Sequence, residues 1–462
     1  MNSLNLVLTA AALAFTAAAN ATDGAKDITF GSNGVGYAHN HGVVGAASPI
    51  VLPDGKVIVC DARADEGLSS GQDMLVVRFN ADGSLDTSFS FDGRVVIDFT
   101  SPAGFDACHA LAVQADGKIV VVGDAYPSGS AGSDFGIARL NPDGTLDSTF
   151  GSGTGKVTVG FQLGAGDGES AQNVALQPDG RIVVSGYAST QDTSTDFAIA
   201  RLLPDGTMDS SFNLTGRVTI DFARATPNAA ADVGHGLAID AQGRILVSGA
   251  AGTDGQGDEF AIARLLPNGT LDNDFNGSGR LTIPLSQAPS GIAVGTGLLQ
   301  QRDGRIVVFG GVDMSTNATV DYDMAMVRLF PDGSLDPGFG FGGKTIVAFN
   351  QIPKGTDVIT SVVEQGNGKL VAVGYAATAV NATKALAAAV RFNVDGSLDS
   401  GFGNSGKKTY DLQLTSPSLQ LFNGVALQGT QLIVSGGVIT ADGTADDFVT
   451  RLSIDSIFAD SF

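Results

Sequence analysis

Two phrases alternate along this chain at a nearly constant spacing, and that repetition limits the possible folds more than any other feature. The phrase VALQPDGRIVVSGYA (174–188) returns as GLAIDAQGRILVSGAA and SVVEQGNGKLVAVGYAA, and DFAIARLLPDGTMDSSF (196–212) returns as DFGIARLNPDGTLDSTF and EFAIARLLPNGTLDNDF. Phenylalanines closing the second phrase stand at 30, 89, 150, 212, 275, 339 and 402, so 372 residues hold six periods of 62. The turn glycines of the first phrase keep the same rhythm at 55, 117, 180, 243, 304 and 368, with Thr430 in the seventh place. A period of this kind belongs to solenoids, propellers and arrays, whose units cannot bury their apolar faces alone.

Each unit reads as four short strands. In the third, Asn173–Leu176 leads through Gln177-Pro178-Asp179-Gly180 into Arg181–Ser185; Phe197–Leu202 leads through Pro204-Asp205-Gly206 towards Arg217–Phe222. Asp-Gly between β-branched runs is a strong hairpin signal. Runs such as Ile182-Val183-Val184 are apolar on both faces, so each sheet must be covered on both sides. The third strand sets Phe197, Ile199 and Arg201 against Ala198 and Ala200, and the small face lets a neighbouring sheet approach closely. The expectation is an all-β, seven-bladed β-propeller of four-stranded antiparallel blades, a single unit over 22–462. Asp27-Ile28-Thr29-Phe30-Gly31 matches the end of a unit, while the last unit stops after Phe448–Leu452. The two pieces make one blade, completed by a strand near Val35–Ala38.

The paired phrases, QPDGRIVVSGYA and DFAIARLxPDGxLDxxFGxxGxVT, resemble the delta-60 repeat, a β-propeller repeat family of mostly uncharacterised, exported bacterial proteins. The resemblance spans about residues 27–455 and departs in the last unit, where the first turn has lost Asp-Gly. It implies a propeller in an exported setting and supplies no reaction.

The apolar run Leu4–Ala19 followed by Ala19-Asn20-Ala21 predicts a signal peptide over 1–21, although Met1-Asn2-Ser3 carries no basic residue. The closing Ile457–Phe462 resembles a short ending found on exported proteobacterial proteins. A secreted, periplasmic or cell-surface monomer without a membrane span is the expectation. Lys and Arg number 26 against 48 Asp and Glu, a net charge of −22, which argues against nucleic acid as a partner.

Recurrence separates scaffold from candidate site. An Asp follows each strand-ending Arg by eight residues, as in Arg78/Asp86 and Arg201/Asp209. A turn clasp and a calcium loop are both compatible with that spacing. An acidic residue also opens the first strand of several units, at Asp106, Glu169, Asp232 and Asp357, with His109 and His235 three residues after two of them. If these converge at the channel mouth they form a metal site for calcium or another divalent cation; otherwise each carboxylate caps its own loop. His39 and His41 are a further candidate pair. No CxxC or HExxH is present, and glycine pairs such as Gly342-Gly343 read as turn residues, not phosphate cradles.

Variable loops on a rigid scaffold are the usual place for binding. The first functional reading is therefore a non-catalytic scaffold that binds a protein or polysaccharide through its loop face. The alternative is a metal-dependent hydrolase or lyase at the channel mouth; no cofactor is required by the first reading. Cys60 and Cys108 fall at the loop-face ends of strands in neighbouring units, where either a disulfide or two buried thiols is compatible with the spacing.

Overall fold

The computed structural model describes residues 23–38, 47–64, 71–99, 104–127, 132–163, 168–190, 195–222, 231–253, 257–285, 291–315, 321–352, 355–379, 384–412, 417–440 and 445–454. The expected signal peptide, the His39/His41 pair and the C-terminal tail lie outside these. The described chain is all-β apart from one 3-10 turn at Gly151–Gly153. Five separate sheets each hold four antiparallel strands in chain order. In the sheet of the third repeat these are Glu169–Leu176, Ile182–Ser189, Thr195–Leu202 and Arg217–Ile220. Its first strand begins four residues before the stretch expected from sequence, and its second ends four residues later.

An eight-stranded sheet completes the set. One half comprises Asp357–Glu364, Leu370–Ala377, Ala385–Phe392 and Lys407–Tyr410. The other comprises Pro417–Gln428, Gln431–Thr440 and Ala445–Ser453, closed by the N-terminal strand Val35–Tyr37. A lone parallel bridge, Ala385 to Leu419, joins the halves. Val35, Gly36 and Tyr37 pair antiparallel with Thr450, Val449 and Phe448. The last repeat also bonds to the first: the Gln428 amide donates to the Gly55 carbonyl, and the Ser435 hydroxyl to that of Ala47. First strands of successive sheets touch around the whole series, first to last included, so they line the axis.

The alternation in the third strand explains how the sheets stack. Ala198 and Ala200 pack with Val120, Phe135 and Phe150 of the preceding repeat. Phe197 and Ile199 face Val247, Ala261 and Ala263 of the following one. The bulky face of each sheet thus meets the small face of the next, and burial of apolar surface between sheets supplies the main driving force.

The recurring Arg and Asp form a clasp at the turn end. The Nε of Arg78, Arg139, Arg201, Arg264, Arg328 and Arg391 donates to the Asp eight residues on, at 2.6–2.8 Å. The same guanidinium lies 4.4–5.1 Å over the centre of the recurring Phe ring. Its Nη1 reaches a carbonyl in the second turn of the next repeat, as in Arg78 to Pro142, Arg139 to Pro204 and Arg264 to Pro331. A second cation, Lys56 or Arg181 for example, approaches each Asp from the second strand. Calcium ligation is not needed to satisfy these carboxylates. Burial alone would raise the Asp209 carboxyl; the Ser211 hydroxyl and amide, with Arg201 and Arg181, outweigh it and hold Asp209 at about 2.

The N-terminal segment supplies the missing parts of the last clasp. Arg451 pairs with Asp27 at 2.9 Å and stacks 5.1 Å over Phe30, while Arg391 reaches Asp23 at 2.6 Å. The Asp-Gly turns are shaped for the same joint. Gly206 has φ +88°, and a Cβ there would lie 2.8 Å from the Phe150 ring of the preceding repeat. Only glycine meets both demands.

Candidate functional site

The four candidate carboxylates do not converge; each ties its own strand to the sheet before it. Asp106 is fully buried and accepts the Phe99 amide at 2.6 Å and the Tyr126 amide at 2.9 Å. Glu169 receives the Phe161 amide on both oxygens, at 2.7 and 2.9 Å. Asp232 receives those of Phe222 and Gly252, at 2.7 and 3.2 Å, and Asp357 that of Phe349 at 2.7 Å. In the last repeat Gln420 does the same for Leu412. The amide so held comes two residues after the fourth strand of the preceding sheet, so these caps fix how one sheet leads into the next.

Two of the caps sit in acidic clusters. Ligand atoms of Asp73, Asp98 and Asp106 lie within 4.8 Å of one another, as do those of Asp196, Asp221 and Asp232. Burial raises the carboxyl of Asp232 to about 7 and that of Asp196 to about 6, and the neighbouring carboxylates add to both shifts. Asp357 is likewise pushed up by burial, to about 6.

His109 and His235 occupy a different kind of position. Six first strands slip register by one residue against their partners: at Cys108/Ala110, Ala171/Asn173, Gly234/Gly236, Gly295/Gly297, Ile359/Ser361 and Phe422/Gly424. The extra residues are His109, Gln172, His235, Thr296, Thr360 and Asn423, all polar, on the strands that line the axis. A β-bulge re-aims its side chain out of the pleat, which is why bulges gather at functional sites. Two of these residues serve the scaffold. The hydroxyls of Thr296 and Thr360 donate to the Ile359 and Phe422 carbonyls of the next repeat, at 2.6 and 2.8 Å.

On the other side of the axis the bulge residues enter a polar network between the second and third repeats. His109 Nε2 meets Asp124 Oδ2 at 3.1 Å. The Ser170 hydroxyl donates to Asp124 Oδ1 at 2.5 Å and accepts from the Gln172 amide at 2.6 Å. Tyr187 lies beside Ser170, with Asp124 and Tyr126 close enough to act on it; burial raises its hydroxyl pKa. At the rim, Phe105 and Tyr126 form an edge-to-face pair with ring centres 6.4 Å apart, both substantially exposed. His235, on the next first strand, has no side-chain hydrogen bond among the described residues. Burial, then the charge of His109, lowers its imidazole to about 4, so it is neutral at neutral pH.

Asp124 and Ser170 escaped the sequence reading, although a signal existed. Asp124 stands where other repeats carry Ala62, Tyr187, Ala250 or Gly311, and Ser170 where they carry Ala107, Val233, Val294 or Val358. Both depart from the repeat at otherwise apolar or small positions. Nearby, Cys60 and Cys108 join the first two repeats as a disulfide with Cα atoms 5.8 Å apart.

A family model described as "Domain of unknown function (DUF5122) beta-propeller" matches residues 52–89, 114–150, 177–212, 242–275, 301–339 and 365–402. The chain is a β-propeller repeat protein. Each matched segment of this propeller runs from the first turn of a repeat to its recurring phenylalanine. No curated protein matches it. Similar solved structures include a protein of unknown function from Dyadobacter fermentans, at 12% identity and TM-score 0.47, over 94% of this chain and 100% of that one. The β-propeller domain of the Trilobed protease from Pyrococcus furiosus is 9% identical with TM-score 0.40, over 89% and 98%. An α-L-arabinofuranosidase from Fusarium graminearum is 13% identical with TM-score 0.42, over 74% and 92%.

Proposed function

We propose that this chain is an exported, seven-bladed propeller of the delta-60 repeat type. It acts as a monomeric binding scaffold, and its ligand, a protein or polysaccharide of the cell envelope, seats on the loop face. One observation carries the reading: the two ends of the disc are built differently. At the turn end the recurring side chains are engaged with one another in clasps that repeat from unit to unit. At the loop end, apart from the recurring strand caps, the polar residues differ from repeat to repeat, and the His109–Asp124–Ser170–Gln172 network occurs between one pair of repeats only among the described residues. The seven-blade count rests on the seven recurring phenylalanines and on the pairing of Val35–Tyr37 with the last strands. The disulfide accords with an oxidising compartment.

Retention on immobilised envelope polysaccharide, or on envelope protein fractions, tests the reading. Loop-face substitutions should abolish retention, and Lys118→Ala at the turn end should leave it intact. The opposite pattern overturns the proposal. A second reading is favoured by the two aspartate clusters, whose spacing suits a divalent cation such as calcium. Calorimetric titration with calcium should then show saturable binding that Asp221→Asn halves in stoichiometry. Absence of binding removes that reading and leaves the scaffold reading untouched. The hydrolase or lyase alternative requires turnover of a polysaccharide substrate, which release of reducing ends or unsaturated products would reveal.

A further inference from the structure

We infer that the loop-face mouth between the second and third repeats is a binding site for a neutral carbohydrate; this rests on the loop-face reading above and names its ligand class. The chemistry of the groups left available there decides the class. Asp124 is the one carboxylate in the network, and both its oxygens already hold partners, His109 and Ser170. It therefore does not call for a cation. No lysine or arginine among the described residues pairs with any member of the network, so nothing there would hold a phosphate, sulfate or uronate.

What remains is neutral. The second nitrogen of His109 and the imidazole of His235 can each donate to or accept from a hydroxyl, and the carbonyl oxygen of Gln172 can accept from one. His109 and Asp124 are partly open to solvent, with about a third and a quarter of their side chains exposed (32% and 24%). Beside them Phe105 and Tyr126 offer exposed ring surface, 49% and 36% accessible, in an edge-to-face pair. Aromatic rings with an apolar body and a few fixed polar groups suit a ligand that alternates C–H faces with hydroxyls. A sugar ring is such a ligand. The scaffold also holds the polar groups in place: the network crosses from one repeat to the next, and the bulges at His109 and Gln172 turn those residues off the regular pleat of their strands.

The chain has six tyrosines and no tryptophan, so ligand contact at Tyr126 and Tyr187 can be read directly in tyrosine emission. The probes are maltohexaose, cellohexaose, xylohexaose and a β-1,4-galactohexaose, titrated separately against the full chain. At least one should give a saturable emission change. Gln172→Ala and His235→Ala should each weaken it tenfold or more, and Tyr375→Phe, in a distant repeat, should leave it unchanged. The His235 side chain makes no hydrogen bond among the described residues, so its substitution removes no bonded partner; circular dichroism and melting of each variant check that the fold is kept. A response to none of the four sugars overturns the inference. So does a sugar response that Gln172→Ala and His235→Ala leave intact. If that response instead falls with Tyr375→Phe, the sugar site is wrong but the loop-face reading stands; if it falls only with Lys118→Ala, both fail. A saturable response to zinc alone, lost in His235→Ala and with no sugar response, marks a metal site and also overturns the inference.

Discussion

Phe30→Ala should loosen the joint that closes the ring. Phe30 is completely buried, with Arg451 stacked 5.1 Å over its ring and Gly83 of the next repeat pressed against its edge. Removing a buried phenyl costs about 3–5 kcal/mol in transfer and cavity terms, and losing the stacked guanidinium adds about 0.5–1 kcal/mol. At about 2.1 cal/mol/K of unfolding entropy per residue, a chain of this length loses roughly 4–6 °C of Tm. The natural control is Phe212→Ala, equally buried and stacked 4.7 Å under Arg201. Those two residues share one continuous hairpin, whereas Phe30 reaches Arg451 only across the closure. Both variants should therefore melt early, but only Phe30→Ala should speed amide exchange at Val35–Tyr37 and Phe448–Thr450. Scanning calorimetry and exchange mass spectrometry measure the two effects. If Phe30→Ala melts within 1 °C of the native chain while Phe212→Ala falls by several degrees, the closure is not a structural joint and the reasoning fails.

Three further outcomes are expected. Asp232, Asp196 and Asp357 have folded pKa values raised to about 7, 6 and 6, above the ordinary 3.8, so the folded state binds more protons between pH 4 and 7 and stability declines as pH rises through that window. Below pH 4 the trend reverses as Asp209, held at about 2, must be protonated; melting should peak near pH 4, and a profile flat from 4 to 8 would contradict the assignment. Reduction of the Cys60–Cys108 bond, which spans 48 residues, should destabilise by about 4 kcal/mol in the chain-entropy model, checked by melting with and without reductant. Gly206→Ala should cost about 1–3 kcal/mol, because it meets both a left-handed backbone and the Phe150 ring; an unchanged denaturation midpoint would show that the turn can yield.

Most of the fold was legible because turns and periodicity are local signals. Pro204-Asp205-Gly206 marks its hairpin without help from the rest of the chain, and the large-small alternation at Phe197–Arg201 foretold how sheets stack. At the loop end the reading was divided: the acidic position put the opening of the first strand at Glu169, where it lies, whereas the apolar run alone reached back only to Asn173. The carboxylates Asp106, Glu169, Asp232 and Asp357 were set apart as candidate ligands on the strength of position. Yet they recur, and the recurrence that assigned Asp86 and Asp209 to the scaffold applies to them equally. Asp124 and Ser170 showed the reverse signal: they break the repeat. The bulges could not be read at all, because an extra residue appears only when two strands are laid side by side.

Those bulges give the architecture a property that an unbroken sheet lacks. In a regular strand every side chain belongs to one face or the other, and changing it disturbs a packed layer. The extra residue belongs to neither layer, so His109, Gln172, His235, Thr296, Thr360 and Asn423 are six addresses around one axis, and all but the two threonines, which bond to the next repeat, can be rewritten singly while the cores on either side keep their alternation. Their present differences, two imidazoles, two amides and two hydroxyls, are what such freedom leaves behind. An engineer wanting a ring of chosen ligands on a stable disc would begin at these positions.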